Sequence, residues 1–365
     1  MNPTQELHEL GQSLWLDNIT RGILDDGTLK RYIEDDAITG LTSNPTIFDQ
    51  AIGGGDDYDE QIAQLAGDGR SGEAAFFELA LADLTRAADL FKKVHQKTKG
   101  VDGWVSLELS PLLADDTQGS IEAAAKLHAQ GKRENLFIKI PGTPAGVPAI
   151  EESIFNGVPI NVTLLFSREQ YLASASAYLR GIERRIEAGR DPKVGSVASL
   201  FVSRWDVAVK DKVPSELKNR LGIAIAQRTY KAYLELLDSP RWKRLEEAGA
   251  LPQRMLWAST GTKDKNASDT LYIEALAAPN TINTMPEKTL MAFAEHGRVG
   301  EPMAEDGGDC EQVIARFRQA GIDDAALAEQ LQQEGKQSFD KSWSELLKRI
   351  SDKAAQVSGK RSAQR

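Results

Sequence analysis

Short apolar runs alternate with long segments of helical periodicity along almost the whole chain. The apolar runs Ser13–Leu16, Ala37–Leu41, Trp104–Leu109, Leu136–Ile140, Ile160–Phe166, Ser196–Val202, Met255–Ser259 and Thr281–Met285 are eight strand candidates. Between them, apolar residues step by three and four. In Phe76–Val94 this spacing puts Phe77, Leu81, Leu84, Ala88 and Phe91 in one stripe on a helix. Ser167-Arg-Glu-Gln170 reads as a capping box that stops one strand and starts a helix, and Gly189 stands where that helix should end. Ser215 and Asp264 stand near the starts of further helical stretches. Such alternation implies parallel strands joined by crossover helices. Eight repeats favour a closed barrel, the (β/α)8 TIM barrel of the α/β class, over an open doubly wound sheet. Gly321–Gln356 carries no strand and predicts helix packed outside the barrel, and the polar, basic end SGKRSAQR is expected to fray. The expected organisation is a catalytic barrel over residues 1–297. A helical extension, 298–365, packs on it as part of the same domain.

Polar residues interrupt these strands where apolar ones would be cheaper. Both faces of a barrel strand are buried, one by helices and one by the barrel centre. In LFIKIP, Lys139 shares a face with Phe137, opposite Leu136, Ile138 and Ile140. The same parity joins Ser106 to Glu108, Asn161 to Thr163, Trp15 to Asp17 and Ser199 to Phe201. Each polar group lies at or beyond the middle of its strand, so the set converges near the C-terminal mouth, where this fold builds active sites. Structural readings exist for the members singly. Lys139 could pair with Glu108 or Asp17, Asp17 could cap the next helix, and Asn44 could open the turn at Pro45. Convergence from five strands favours chemistry. A buried amine loses its proton more readily and can attack a carbonyl to form a Schiff base, while nearby carboxylates move protons.

Composition narrows the partners. Lys plus Arg number 44 and Asp plus Glu 54, a net charge of −10, which disfavours nucleic acid and anionic membranes but leaves room for a local cationic pocket. The single cysteine, Cys310, excludes a disulfide framework, and the four scattered histidines offer no metal-ligand spacing. MNPTQELHEL has neither a basic nor an apolar leader segment, so a cytoplasmic protein is expected. Gly67-Asp-Gly-Arg-Ser-Gly72 matches a dinucleotide fingerprint in form, but the preceding DEQIAQLA is helical and polar, so a surface loop is expected. Gly53–Gly55 reads as a turn, and Trp343 with Leu346 and Leu347 as a stripe packed on the barrel.

Seven ordered blocks, LWLDNITR, GLTSNPTIF, VSLELSP, LFIKIPGT, PINVTLLFS, SLFVSRWD and NTMPEKTL, resemble transaldolase, most closely its longer bacterial form, over about residues 10–295. The resemblance implies a (β/α)8 barrel without metal or organic cofactor. It implies transfer of a dihydroxyacetone unit from a ketose phosphate, such as sedoheptulose 7-phosphate or fructose 6-phosphate, to glyceraldehyde 3-phosphate or erythrose 4-phosphate. It further implies that Lys139 forms the Schiff base and that Asp17 is the acid/base at the C4 hydroxyl. Glu108 and Thr163 would hold the water of imine chemistry, Asn44 and Asn161 would orient the dihydroxyacetone carbons, and Ser199 and Arg204 would bind phosphate. The expected assembly is a monomer or a homodimer.

The chain departs from the pattern after the seventh strand. Shorter relatives carry GASFR there, with a phosphate-binding arginine, whereas this chain has WASTGTKD, in which Lys263 is the nearest cation. Leu200 also replaces a frequent proline. Two rival readings share the scaffold: a class I aldolase that releases dihydroxyacetone, and a catalytically silent binding barrel. The retained Asp17, Glu108 and Lys139 argue against the second.

Overall fold

The computed structural model describes residues 2–363, with side chains for 2–357. Eight parallel strands close into a barrel in chain order: β1 (Ser13–Asp17), β2 (Ile38–Thr42), β3 (Val105–Glu108), β4 (Leu136–Pro141), β5 (Ile160–Leu165), β6 (Ser196–Phe201), β7 (Gln253–Ala258) and β8 (Ile282–Met285). β1 pairs with both β2 and β8, which seals the sheet. All eight expected strands are present, with bounds within two residues of those read from the sequence. Among the described residues no helix is long and apolar enough to cross a membrane.

Local sequence explains most helix limits. Ser167 and Gln170 form the capping box at the start of Arg168–Glu187, and Gly189 follows its end at φ +66°. The helix expected at Phe76–Val94 runs Gly72–Lys97. Its buried face centres on Phe76, Leu79, Ala80, Leu84 and Phe91, with Phe77 and Leu81 at the margin. Asp264 does not begin a helix, since the next one is Leu271–Ala275. Its carboxylate is taken by Asn219 Nδ2 at 2.7 Å and the Asn266 amide at 2.9 Å, which makes a turn instead. Ser215 opens only the short 3-10 turn Ser215–Leu217, ahead of the helix Leu221–Asp238. Residues 68–71 form the exposed loop expected of the glycine-rich decoy.

Two apolar clusters build the core. One lies between strands and outer helices. The other fills the barrel with Trp15, Phe137, Val197 and Leu256, and continues through the mouth to Phe317, Leu331 and Phe339 of the extension. Trp104 stacks on Phe137 with ring centroids 4.0 Å apart. At the N-terminal floor the charged groups are hydrogen-bonded. Asp102 accepts from Trp15 Nε1 at 2.9 Å and from Ser13 Oγ, and Arg254 donates to Ser13 Oγ at 2.8 Å and the Thr281 carbonyl at 3.0 Å.

The last helix of the extension, Asp324–Ala363, packs on the outer helices Pro45–Gly53, Asp59–Gly67 and Gly72–Lys97, as expected, and also reaches the rim of the mouth. Gln332 Nε2 donates to the Gly142 and Leu164 carbonyls, both at 3.0 Å, at the ends of β4 and β5. Trp343 packs edge-on against Phe76 with centroids 4.9 Å apart, and Arg349 pairs with Asp49 at 2.6 Å. Periodicity marked the apolar stripe but carries no information about which surface receives it. The helix continues through Ala363, so most of SGKRSAQR is helical, and residues 364–365 lie outside the described residues.

The barrel interior tolerates little added volume. A Cβ on Gly40 would sit 2.5 Å from the Trp15 indole, which its bond to Asp102 holds in place. Gly40→Ala should therefore destabilise the protein by about 1–3 kcal/mol through overpacking. A lower urea midpoint with unchanged slope would show it, and an unchanged midpoint would contradict so tight an interior.

Candidate active site

Register sets the centre of the site. Glu108 on β3 lies beside Lys139 on β4, and Lys139 beside Asn161 on β5, so three polar side chains form one row across adjacent strands. Lys139 Nζ donates to Glu108 Oε2 at 2.9 Å and to the Ser43 carbonyl at 3.0 Å. Both members of this ion pair are about 5–6% exposed. Asn161 is held from two sides, donating to Ser106 Oγ at 3.1 Å and accepting from Ser199 Oγ at 2.7 Å.

Asp17 ends β1 at the pocket. Its carboxylate accepts from Thr42 Oγ1 at 2.7 Å, and Thr284 Oγ1 lies 2.6 Å from the same hydroxyl. It caps nothing, because Thr20 caps the helix that follows. Asn44 does cap the helix Pro45–Gly53, accepting from the Ile47 amide at 3.1 Å. Its Nδ2 makes no hydrogen bond among the described residues and the residue lines the same pocket. Thr163 Oγ1 is buried with no partner. The next residue, Leu164, has φ +57° at an irregularity in the β5–β6 register. A leucine seldom adopts that conformation, and such strain gathers at functional sites.

The pocket at the mouth encloses about 140 Å³. Seven of the nine residues singled out in the sequence line it: Asp17, Asn44, Lys139, Thr163, Ser199, Arg204 and Lys263. Glu108 and Asn161 are not in its lining and lie in the row with Lys139. Roomier grooves occur between outer helices, such as one by Phe77, Leu81 and Leu127, but they gather no such set of strand-end groups. Sequence reasoning missed Thr42, the Ser43 carbonyl, Thr284 and Phe339. Thr42 and Thr284 follow the inward parity of β2 and β8 and were readable from it. A backbone carbonyl and a residue from a distant helix leave no such trace.

Charge divides the pocket. Burial raises Asp17 above the usual carboxylate range, opposed by Lys139, the Thr42 hydrogen bond and Lys263. Burial likewise raises Glu108, opposed by Lys139, while Asp17 pushes it further up. At the rim stand two cations. The Arg204 guanidinium lies 5.6 Å from the Phe201 ring centre. Among the described residues neither Arg204 nor Lys263 forms an ion pair, which leaves both for an anion. Arg204 follows β6 on the short helix Ser203–Val209. Asp206 ties that helix down by accepting from the Leu221 amide at 2.9 Å and Tyr272 Oη at 2.7 Å. The arrangement is a buried amine beside a base, a second carboxylate across the pocket, and cations at the entrance. It suits covalent chemistry on a carbonyl carried by a phosphorylated molecule.

Residues 14–350 match the family described as Transaldolase/Fructose-6-phosphate aldolase. The chain is 42% identical to the transaldolase of Renibacterium salmoninarum over 358 residues, covering 96% of each chain. It is 43% identical to the transaldolase of Arthrobacter sp. strain FB24, covering 94% of this chain and 95% of that one. The transaldolase of Thiobacillus denitrificans is 39% identical, covering 96% of this chain and all of its own. The barrel, the row of strand-end groups and these full-length likenesses agree, and the chain belongs to the Transaldolase/Fructose-6-phosphate aldolase family.

Proposed function

We propose that this enzyme is a transaldolase that carries a dihydroxyacetone unit on Lys139 between sugar phosphates. The observation that carries the reading is Lys139 at the pocket, 2.9 Å from Glu108, under two unpaired cations. Burial raises the proton affinity of Glu108, so it can take the ammonium proton and free the amine. Nζ then attacks C2 of the ketose, and loss of water leaves an iminium. Asp17 removes the C4 hydroxyl proton as the C3–C4 bond breaks, and the electron pair becomes the enamine. The aldose leaves. An acceptor aldehyde is attacked by C3 of the enamine, and Asp17 returns the proton to the new C4 oxygen. Water held by Glu108 and Thr163 hydrolyses the new iminium and restores the amine. Asn44 and Asn161 orient the three-carbon unit, and Ser199, Arg204 and Lys263 hold the phosphate. The iminium is the electron sink, so this cycle calls for no metal or organic cofactor. The setting is the cytoplasm, where phosphorylated sugars are kept, with the chain acting as a monomer or homodimer.

Borohydride reduction with fructose 6-phosphate should add a dihydroxyacetone-derived mass at Lys139 alone, and Lys139→Ala should abolish turnover. Peptide mapping that finds the adduct on another lysine, or none in active enzyme, refutes the assignment.

The carboxylates should separate by step. Asp17→Ala should let the imine form but block cleavage, so the intact donor becomes trapped. Glu108→Ala should slow imine formation by roughly 10²–10⁴-fold. Because burial raises both groups, protonation as pH falls should cut kcat/KM at a pH above the ordinary carboxylate range. A pH profile whose acid limb sits in that ordinary range would contradict the raised affinities.

At the rim, Arg204 offers a planar fork and Lys263 a single mobile charge. Arg204→Ala should raise KM for fructose 6-phosphate by roughly 10–150-fold and leave unphosphorylated fructose nearly unchanged. Lys263→Ala should show the same selectivity with a smaller effect. Equal effects on both sugars would remove either residue from the phosphate site.

A further inference from the structure

The helix Asp324–Ala363 sends one face to the mouth of the barrel. Gln332, Gly335 and Phe339 are spaced by three and four residues, so they share that face. Gln332 Nε2 bridges the Gly142 and Leu164 carbonyls at 3.0 Å each, and so joins the strand of Lys139 to the strand of Thr163. Gly335 allows the approach, because a Cβ there would lie 2.8 Å from Leu164 Cδ2. Seven residues beyond Gln332, Phe339 enters the pocket wall and is 6% exposed. It is the one lining residue that comes from neither a barrel strand nor the segment following it.

We propose that Phe339 is a specificity-determining residue that keeps the lysine-bound enamine for an aldehyde acceptor by denying water that side of the pocket. The proposal rests on the Schiff-base reading above. Once the aldose has left, the enamine has two fates. It can attack an acceptor aldehyde through C3. Alternatively, a water in the pocket can relay the proton held by Asp17 to C3, which gives the dihydroxyacetone iminium. One water then adds to C2, the C2–N bond breaks, and dihydroxyacetone leaves with Lys139 as the free amine. The first fate is transfer and the second is simple aldol cleavage.

Most of the lining is polar and would hold ordered water, with Asp17, Thr42, Asn44, Ser199, Ser259 and Thr284 all at the pocket. An aromatic ring in the wall offers water no hydrogen bond and occupies its space. The ring is fixed from outside the barrel by the bridge from Gln332 and the close contact at Gly335. Hydrolysis at C2, which both fates share, uses the water held by Glu108 and Thr163, so the ring acts on water elsewhere in the pocket.

The test uses the full-length enzyme with fructose 6-phosphate, with and without erythrose 4-phosphate. It measures free dihydroxyacetone in both arms and, with the acceptor present, its ratio to sedoheptulose 7-phosphate. Phe339→Ala should raise that ratio by roughly tenfold or more, while borohydride trapping at Lys139 proceeds at the parent rate. Phe339→Leu, which keeps an apolar side chain, should restore most of the difference. Gln332→Ala should shift the ratio in the same direction by less, which preserves the test if Phe339→Ala fails to fold. Arg349→Ala removes a half-exposed ion pair farther along the same helix and should leave the ratio within about twofold. A ratio unchanged in Phe339→Ala that still forms the adduct overturns the proposal. So does an unchanged ratio in Gln332→Ala if Phe339→Ala does not fold, or a shift in Arg349→Ala as large as that in Phe339→Ala. Failure of the Schiff-base reading would look different: the parent itself would trap no adduct at Lys139.

Discussion

Two opposite charges are buried side by side in the barrel, and the surrounding structure is arranged so that they can be there. Lys139 and Glu108 meet at 2.9 Å with almost no exposure. A pair desolvated this fully is seldom a net gain for folding, since the cost of dehydrating both ions rivals their attraction. The barrel meets that cost with fixed dipoles. The Ser43 carbonyl accepts from the ammonium, and a satisfied Ser106–Asn161–Ser199 chain occupies the neighbouring positions. Below them, Trp15, Phe137 and Leu256 exclude water from the interior. The pair is best understood as stored proton affinity. Either partner can be neutralised by the other without help from solvent, which a lysine and glutamate on the surface could not do.

The same constraint explains why the polar site draws on seven of the eight strands. A charged pair in the middle of a barrel needs hydrogen-bonding neighbours on all sides, and a closed parallel sheet supplies them at one height. Asp17, Thr42, Glu108, Lys139, Asn161, Ser199 and Thr284 all come from strands. The loops and the short helix after β6 contribute what must adapt to a ligand, namely Asn44, Arg204 and Lys263. Asp206, which burial raises to a pKa of about 6, anchors the Arg204 helix from behind.

Much of this was legible before any coordinates. Strand parity alone put Lys139, Glu108, Asn161, Thr163, Asp17 and Ser199 on inward faces, because alternation in a doubly buried strand leaves a polar residue only two directions and one of them is covered by helices. Turn chemistry marked the start of Arg168–Glu187. What the sequence could not reveal were contacts made at a distance. Asp264 has the residue type of a helix cap, but Asn219, 45 residues away in sequence, competes for its carboxylate. The C-terminal helix showed its apolar stripe without its destination, so Phe339 could not be placed. The bulge at Leu164 was equally hidden, since nothing about leucine announces a left-handed backbone, and only the carbonyl bond to Gln332 makes sense of it.

The inner apolar cluster runs unbroken from Trp15 at the bottom of the barrel to Phe339 above its mouth. Chain ends in most proteins open first and open alone. Here the middle turns of the last helix share their packing with the barrel interior, so they cannot lift without uncovering it. Protection from amide hydrogen exchange around Gln332–Trp343 should therefore approach that of the strands, and fraying should be confined to the turns beyond. The closing segment of the chain behaves as part of one cooperative unit with the catalytic lysine.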